Sequence, residues 1–322
     1  MTNQILTLAC WDYDRTRPLL DGRVRADGLT LDIKLMRPQQ AFQAMLRNEF
    51  DAAEMSLANY TVLKARGECP FVGIPVMLSK MFRHSCVYVR SDAGIRTPAD
   101  LKGKRAGTAQ FTSTGVVFVK GMLEHEYGLS QRDLAWWLGG LHAPVPPPSP
   151  PPAAPPGVTM HYLSATQTLE GMFKAGELDV LFSNHFPKLW EERWPGIARL
   201  FPGYKQTEQG YFQKTGIFPI MHTVVIRETL HREQPWIAKA LYAAFCTARD
   251  IAVDGLYDTD ALRLSLPWLI DHLEETKAAM GADPFAYGIE PNRPALTAIG
   301  RYLHEQGLAP RVVQPEELFV PV

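Results

Sequence analysis

The stretch LTLDIKLMRPQQAFQAMLRNEFDAAEMSL, residues 29–57, holds the pattern from which the fold follows. Residues 29–35 (LTLDIKL) alternate apolar and polar side chains, the period of two that a half-buried strand requires. Pro38 suits the first turn of a helix, and Phe42, Met45 and Leu46 recur at helical spacing through residues 39–49. Residues 51–57 (DAAEMSL) then return to a short strand. Upstream, residues 4–9 (QILTLA) read as a buried strand. The order strand, loop, strand, helix, strand predicts an α/β sheet with helices packed on it.

The same alternation continues outward. Residues 85–90 (SCVYVR) form a strand, and Lys104–Gly107 lead into another. FTST at 111–114 introduces a helix over 115–127, with Val116, Val119, Met122 and Leu123 on one side. Residues 158–163 and 179–183 are strands flanking an amphipathic segment, 165–175. Residues 219–226 (PIMHTVVI) make the last strand, after which the chain turns helical over 235–253, 259–281 and 293–306. Nine of the 13 residues in 144–156 (PVPPPSPPPAAPP) are proline. Such a run forms an exposed polyproline-II loop, read as a surface insertion rather than a docking motif.

A chain of 322 residues corresponds to two domains or lobes at roughly 100–200 residues each. Lys and Arg number 33 and Asp and Glu 34, so no basic excess points to nucleic acid or to a polybasic membrane anchor. The four cysteines, Cys10, Cys69, Cys86 and Cys246, are scattered without CxxC or zinc spacing and read as small buried side chains. The amino-terminal residues have no Lys or Arg before Asp12 and no long apolar run, which leads to the expectation of a cytoplasmic protein. No apolar stretch is long enough for a membrane helix. GxSxG, P-loop and strand-linked GxGxxG motifs are absent, against a serine hydrolase or a nucleotide site.

Polar clusters recur where strands end: WDYDRT (11–16), Ser56 with Asn59 and Tyr60, Arg83–His84, Thr112–Thr114, and Ser183–His185. Ligands of open α/β sheets bind beyond the carboxyl ends of strands, so these clusters are expected to line one cleft. FTST can bind an anion through helix-start N–H groups, although Ser113 or Thr114 can equally serve as an N-cap. Arg15 and Arg83 can hold carboxylates through their planar forks, or pair locally with Asp12 or Asp14. His84, His185 and His222 are candidates for proton transfer, against the plain alternative of core histidines. No pair of them has metal-motif spacing, so no metal is expected.

With these residues in view, LACWDYDRTRPLLDGRV, FDAAEMSLANY, MFRHSCVYVR, DLKGKRAG, SATQTLEGMFKAGELDVLFS and IFPIMHTVVIR together resemble the 4,5-dihydroxyphthalate decarboxylase family, within the type 2 periplasmic-binding-protein fold superfamily. The resemblance runs in order from residue 5 to residue 310. AQFTSTGVVFVKGML and SNHFP depart from the family pattern, which leaves substrate identity to them. The resemblance implies a two-lobed α/β fold with the ligand cleft between lobes. Lobe one would take residues 1–88 and 218–322, and lobe two 89–217.

The implied reaction is cofactor-independent decarboxylation of a hydroxylated aromatic dicarboxylate. Protonating the ring carbon that bears the carboxylate gives a dienone-like intermediate that expels CO2. In this reading the catalytic residues are His185, His222 and Asp14. The substrate is held by Asp12, Arg15, Ser56, Arg83, His84, Thr112, Ser113, Thr114 and Asn184. The expected partner is a small aromatic carboxylate, with no nucleic acid, no membrane and no cofactor; a homo-oligomer is allowed. The competing expectations are a solute-binding protein of a membrane transporter and a ligand-sensing module, since fold alone does not fix function.

Overall fold

The computed structural model describes residues 4–322, so residues 1–3 of the amino-terminal stretch read for a leader lie outside the described residues. Among the described residues there are eleven strands: β1 Gln4–Cys10, β2 Leu29–Leu35, β3 Ala52–Ser56, β4 Phe71–Lys80, β5 Val87–Arg90, β6 Arg105–Thr108, β7 Ala135–Leu138, β8 Thr159–Tyr162, β9 Val180–Phe182, β10 Ile197–Arg199 and β11 Ile220–Arg227. They form two sheets, and the chain divides into two compact units. The first unit holds residues up to Met81, Thr215–Gly300 and Val313–Val322; the second holds Phe82–Lys214 and Arg301–Val312.

The first unit is built on the order β2-β1-β3-β11-β4. β1 pairs in parallel with β2 and β3, while β11 runs antiparallel between β3 and β4. Parallel neighbours need crossovers, which the helix Pro38–Leu46 supplies between β2 and β3. The strands bury Leu6, Leu8, Met55, Ile74, Val224 and Val225 completely.

β4 is an edge strand with Pro75 inside it, where a missing N–H is tolerated. Its register against β11 slips. His222 lies opposite Ser79 but Val224 opposite Ile74, so two steps along β11 span five along β4. The carbonyls this frees find other donors. Pro75 O accepts from Gly288 N–H at 2.8 Å, Val76 O from Thr223 Oγ1 at 3.1 Å, and Leu78 O from Arg15 Nε at 2.8 Å. A bulge of this kind re-aims side chains, and it lies beside His222.

The second unit uses the order β10-β5-β9-β6-β7-β8. β6 runs parallel to β7 and β9, and β5 antiparallel to β9 and β10. Its helix Thr114–Tyr127 buries nearly every residue of its first two and a half turns. The segment 301–312 and residues 82–88, expected in lobe one, group with this unit. For 301–312 the packing is specific: Gln306 Nε2 donates to Val117 O at 2.9 Å, and Gln131 Nε2 donates to Gln306 O at 2.9 Å.

Several elements differ from expectation. β4, β7, β10 and the helix Tyr204–Thr215 were not anticipated. The helix expected over 259–281 begins only at Leu269, two residues past Pro267. The proline-rich stretch is exposed and irregular as expected, except that Pro155 is buried and Arg132 Nε donates to Pro156 O at 3.2 Å. Among the described residues no helix is long and apolar enough to cross a membrane.

Two helical glycines should respond oppositely to alanine. A Cβ at Gly121 would stand 2.3 Å from the Tyr302 ring, whereas one at Gly210 meets nothing within 4 Å. Gly210→Ala should stabilise by about 0.5–1 kcal/mol from backbone entropy, while Gly121→Ala should lower the melting temperature. Thermal denaturation of both variants checks this; equal stabilisation would mean Tyr302 does not pack on the helix.

Candidate active site

The turn after β1, the middle of β3 and the start of β11 bring one phenol, one acid and one imidazole together. Glu54, in the middle of β3, has no solvent exposure. A buried carboxylate is tolerated only when its oxygens are supplied with donors. Trp11 N–H donates to Oε2 at 3.0 Å, Tyr13 OH donates to Oε1 at 2.6 Å, and His222 Nδ1 meets Oε1 at 2.6 Å. Tyr13 OH also lies 3.4 Å from His222 Nδ1.

Each partner is placed by the sheet. Trp11 and Tyr13 follow β1 directly, in a turn tied by Thr16 Oγ1, which accepts from Tyr13 N–H at 2.9 Å and donates to Trp11 O at 2.9 Å. His222 stands on β11 opposite Ser56, with Val224 opposite Glu54, so His222 and Glu54 are diagonal neighbours on one face. Phe42 packs its edge on the imidazole with centroids 5.0 Å apart. The side chain of His222 keeps 20% of its surface exposed while that of Glu54 keeps none. With Tyr13 donating its single proton to Glu54, the imidazole partner of the acid is an Nδ1–H donor. Nε2 is then the ring nitrogen left to serve a ligand.

Burial pushes the Cys10 thiol up to about 12, with Glu54 and Asp12 adding to it. Burial and then the Glu54 charge raise the Tyr13 hydroxyl far above the ordinary phenol range, against smaller opposing effects of Arg15 and Ser79. Tyr13 is therefore a fixed hydrogen-bond donor and a poor acid.

Arg15 and Lys80 border this centre. Arg15 donates through Nε and Nη2 to Leu78 O and through Nη1 to Asp14 Oδ1 at 2.8 Å, its guanidinium lying over Tyr13 and Phe285. Lys80 Nζ donates to Pro284 O at 2.7 Å and to Asn292 Oδ1 at 2.8 Å. Burial brings its pKa down to about 7.

The residues expected at the site divide between the two units. Asp12, Asp14, Arg15, Ser56 and His222 belong to the first. Asp14 is half-exposed and engaged with Arg15, so the carboxylate beside the imidazole is Glu54 and not Asp14. Asp12 Oδ2 accepts from Arg17 Nη2 at 2.6 Å. Ser56 is buried and caps the helix Leu57–Arg66 by accepting from Asn59 N–H at 3.3 Å.

Arg83, His84, Thr112, Ser113, Thr114, Ser183, Asn184 and His185 belong to the second unit. There Asn184 Nδ2 donates to Ser113 Oγ at 3.1 Å, and the Ser113 side chain makes no capping bond. Thr114 is buried and Thr112 exposed. His185 is exposed, and its backbone N–H donates to Ser183 Oγ at 3.3 Å. Arg83 Nη1 lies 3.7 Å from Cys86 Sγ.

His84, expected at the ligand, is an interior residue of the second unit. It is 1% exposed, held edge-on between Phe201 and Tyr211, with Glu208 at 3.8 Å. Burial drives its pKa down to about 4, and burial drives Glu208 up to about 7 despite the N–H groups of Ser85 and His84.

Sequence reasoning also missed Lys120, which is buried with Nζ donating to Phe111 O at 3.1 Å and lying over the Phe111 ring. Burial lowers its pKa well below the usual lysine range. A charged residue inside an otherwise apolar element is the signal that could have flagged Glu54, Lys80 and Lys120. Among the described residues, three metal-capable groups converge only at the exposed Asp271, His272 and Glu275.

Glu208 makes a testable contribution to stability. Its native pKa lies above the ordinary 4.5, so the native state binds the proton more tightly than the unfolded chain. The stabilisation is fully present below pH 4.5 and lost as pH rises through about 7. Glu208→Gln should therefore gain melting temperature over the parent as pH rises across that window and gain none below it. A difference independent of pH would place Glu208 in a solvated environment.

The geometry can be set beside known proteins. A family model described as the phosphonate-type periplasmic substrate-binding protein of ABC transporters matches residues 14–143. The chain is 35% identical over its whole length to a 4,5-dihydroxyphthalate decarboxylase of Comamonas testosteroni, of which it covers 98%. It is 35% identical over 197 residues, 61% of this chain, to the 4,5-dihydroxyphthalate decarboxylase of Pseudomonas putida, covering 76% of that protein. Among solved structures it is similar to the periplasmic sulfonate-binding protein SsuA of Methylobacillus flagellatus KT, with TM-score 0.59, 13% identity, and coverage of 99% of this chain and 92% of that one. The aliphatic sulphonate binding protein SsuA of Escherichia coli gives TM-score 0.56 and 12% identity over 99% of this chain and 93% of its own. At that identity the structures speak for the fold alone, a two-lobed α/β architecture with mixed sheets.

Proposed function

We propose that this chain, which belongs to the 4,5-dihydroxyphthalate decarboxylase family, converts 4,5-dihydroxyphthalate to 3,4-dihydroxybenzoate and CO2, with His222 as proton donor and Glu54 as its anchor. What carries the choice of residues is the Glu54–His222 contact between β3 and β11, beside the turn that follows β1.

The chemistry needs one proton at one ring carbon. The hydroxyl para to a carboxylate-bearing carbon feeds electron density to that carbon. His222, as the imidazolium, delivers its Nε2 proton there while the hydroxyl releases its own proton to water, and the ring becomes a cyclohexadienone. The carbon–carboxylate bond then breaks, its electron pair restores the aromatic ring as the phenolate, CO2 leaves, and the phenolate oxygen takes a proton back from water. The net change is one proton gained and one CO2 lost, with no electrons transferred.

Glu54 stabilises the imidazole while it carries the extra proton and holds the Nδ1–H tautomer, the role a buried acid plays toward a catalytic histidine. Tyr13 and the Trp11 N–H keep Glu54 in place. Arg15, on its aromatic bed of Tyr13 and Phe285, offers its remaining guanidinium N–H groups to a carboxylate. Asp14 has no part in proton transfer in this scheme, and His185 has none either.

A second reading, a solute-binding protein for a small anion, is favoured by the family-model match over residues 14–143. The two separate in one assay. Incubation with 4,5-dihydroxyphthalate should release CO2. His222→Asn should reduce kcat about 10²–10⁴-fold with KM little changed, the usual worth of a general acid, and Glu54→Gln should reduce kcat too. Unchanged turnover in His222→Asn would remove it as the donor. Absence of CO2 release, with the aromatic acid bound intact, would favour the solute-binding reading.

A further inference from the structure

Lys80 is the last residue of β4, and the scheme above gives it no task. Its two hydrogen bonds go to neutral acceptors, Pro284 O and Asn292 Oδ1, and its third neighbour is the Phe218 ring, 4.9 Å from Nζ. Asn292 is itself fixed, donating through Nδ2 to Ala286 O at 2.8 Å and Gly288 O at 2.9 Å. Among the described residues no carboxylate forms an ion pair with Lys80. While protonated, an ammonium oriented by dipoles and an aromatic face, without a contacting acid, can direct its charge at a ligand.

The surroundings extend this into a surface. Phe218 meets Phe285 edge to face with centroids 5.6 Å apart, and the Arg15 guanidinium lies 5.2 Å from the Phe285 centroid. An ammonium and a guanidinium thus ride on two adjoining rings, next to the turn that carries Tyr13. The Tyr287 hydroxyl is buried without a hydrogen-bond partner, in the field of Arg15 and Arg249.

We infer that Lys80 and Arg15 form a paired-cation subsite for the two adjacent carboxylates of a vicinal aromatic dicarboxylate, with Lys80 selecting dicarboxylates over monocarboxylates. This assignment rests on the decarboxylase reading for the identity of its ligand.

The charged groups acting on Lys80 come from three elements: Asp283 from the loop before Asn292, Arg15 from the turn after β1, and Arg249 from the helix Trp236–Asp254. Burial lowers its pKa to about 7, Asp283 opposes this, and Arg15 and Arg249 add to it. A bound dianion reverses that balance, so binding takes up a proton once the free amine prevails.

The test is calorimetric titration with phthalate, which lacks the ring hydroxyls the reaction needs, and with benzoate, between about pH 6 and 9. In the parent protein phthalate affinity should fall about tenfold per pH unit above 7. Lys80→Arg should hold its affinity across the range, because a guanidinium stays charged. Lys80→Met should bind phthalate about 10–100-fold more weakly at pH 6, the worth of a charge-assisted hydrogen bond, and benzoate as the parent does. Parental phthalate affinity in Lys80→Met, or a parental pH slope in Lys80→Arg, would overturn the assignment. If the parent still releases CO2 from 4,5-dihydroxyphthalate in that case, the decarboxylase reading survives without Lys80. A parent protein that binds neither phthalate nor the hydroxylated substrate overturns both.

Discussion

The buried carboxylate of Glu54 is the constraint on which the first unit's chemistry depends. An acid with no exposure must be met by donors, and the three that meet it come from two distant parts of the chain: Trp11 and Tyr13 after β1, and His222 on β11. To satisfy Glu54, the chain must fix the turn after β1 and bring β11 in beside β3. Removing any one donor would leave a buried charge short of a partner, a more costly defect than losing an exposed ion pair. The same contacts give the imidazole its tautomer, so the folding requirement and the chemical requirement coincide.

The slipped register of β4 supports this arrangement from the other side. Pro75 lacks an N–H, and the stretch that follows it leaves the ladder with β11, releasing carbonyls. Arg15 takes Leu78 O, which anchors the guanidinium beside Tyr13. Thr223, next to His222, takes Ile74 O and Val76 O. A strand irregularity that would weaken a sheet interior therefore fastens the cationic rim to the sheet edge and holds the strand that carries His222.

Much of the fold was legible because periodicity is local. Residues 4–9, 29–35 and 219–226 read as strands through alternation or apolar, β-branched runs, 51–57 reads as a short strand after the helix, and FTST marks a helix start. β4 does not read as a strand, because FVGIPVMLSK is a continuous apolar run broken by proline, which argues against a central strand and is compatible with the edge it occupies. The helix read from 259 begins only at 269, since the leucines at 262, 264 and 266 repeat at two and not at three or four. The site was legible only in part. Arg15 lies in a polar cluster at a strand end and His222 is a lone imidazole within an apolar strand, but Glu54 sits in a five-residue strand and its partners Tyr13 and His222 are 41 and 168 positions away. No spacing rule reaches across such separations. His84 looked like a strand-end ligand and is interior because Phe201 and Tyr211, far along the chain, close over it.

The state of the His222 ring tests the central claim most directly. Nitrogen NMR of the protein labelled at histidine ring nitrogens, with the His222 signals assigned by their loss in His222→Asn, reports which nitrogen carries the proton in the neutral ring. Anchoring by Glu54 predicts a proton on Nδ1, an unprotonated Nε2, and a change in this distribution in Glu54→Gln. A neutral His222 protonated at Nε2, unaltered in Glu54→Gln, would contradict it.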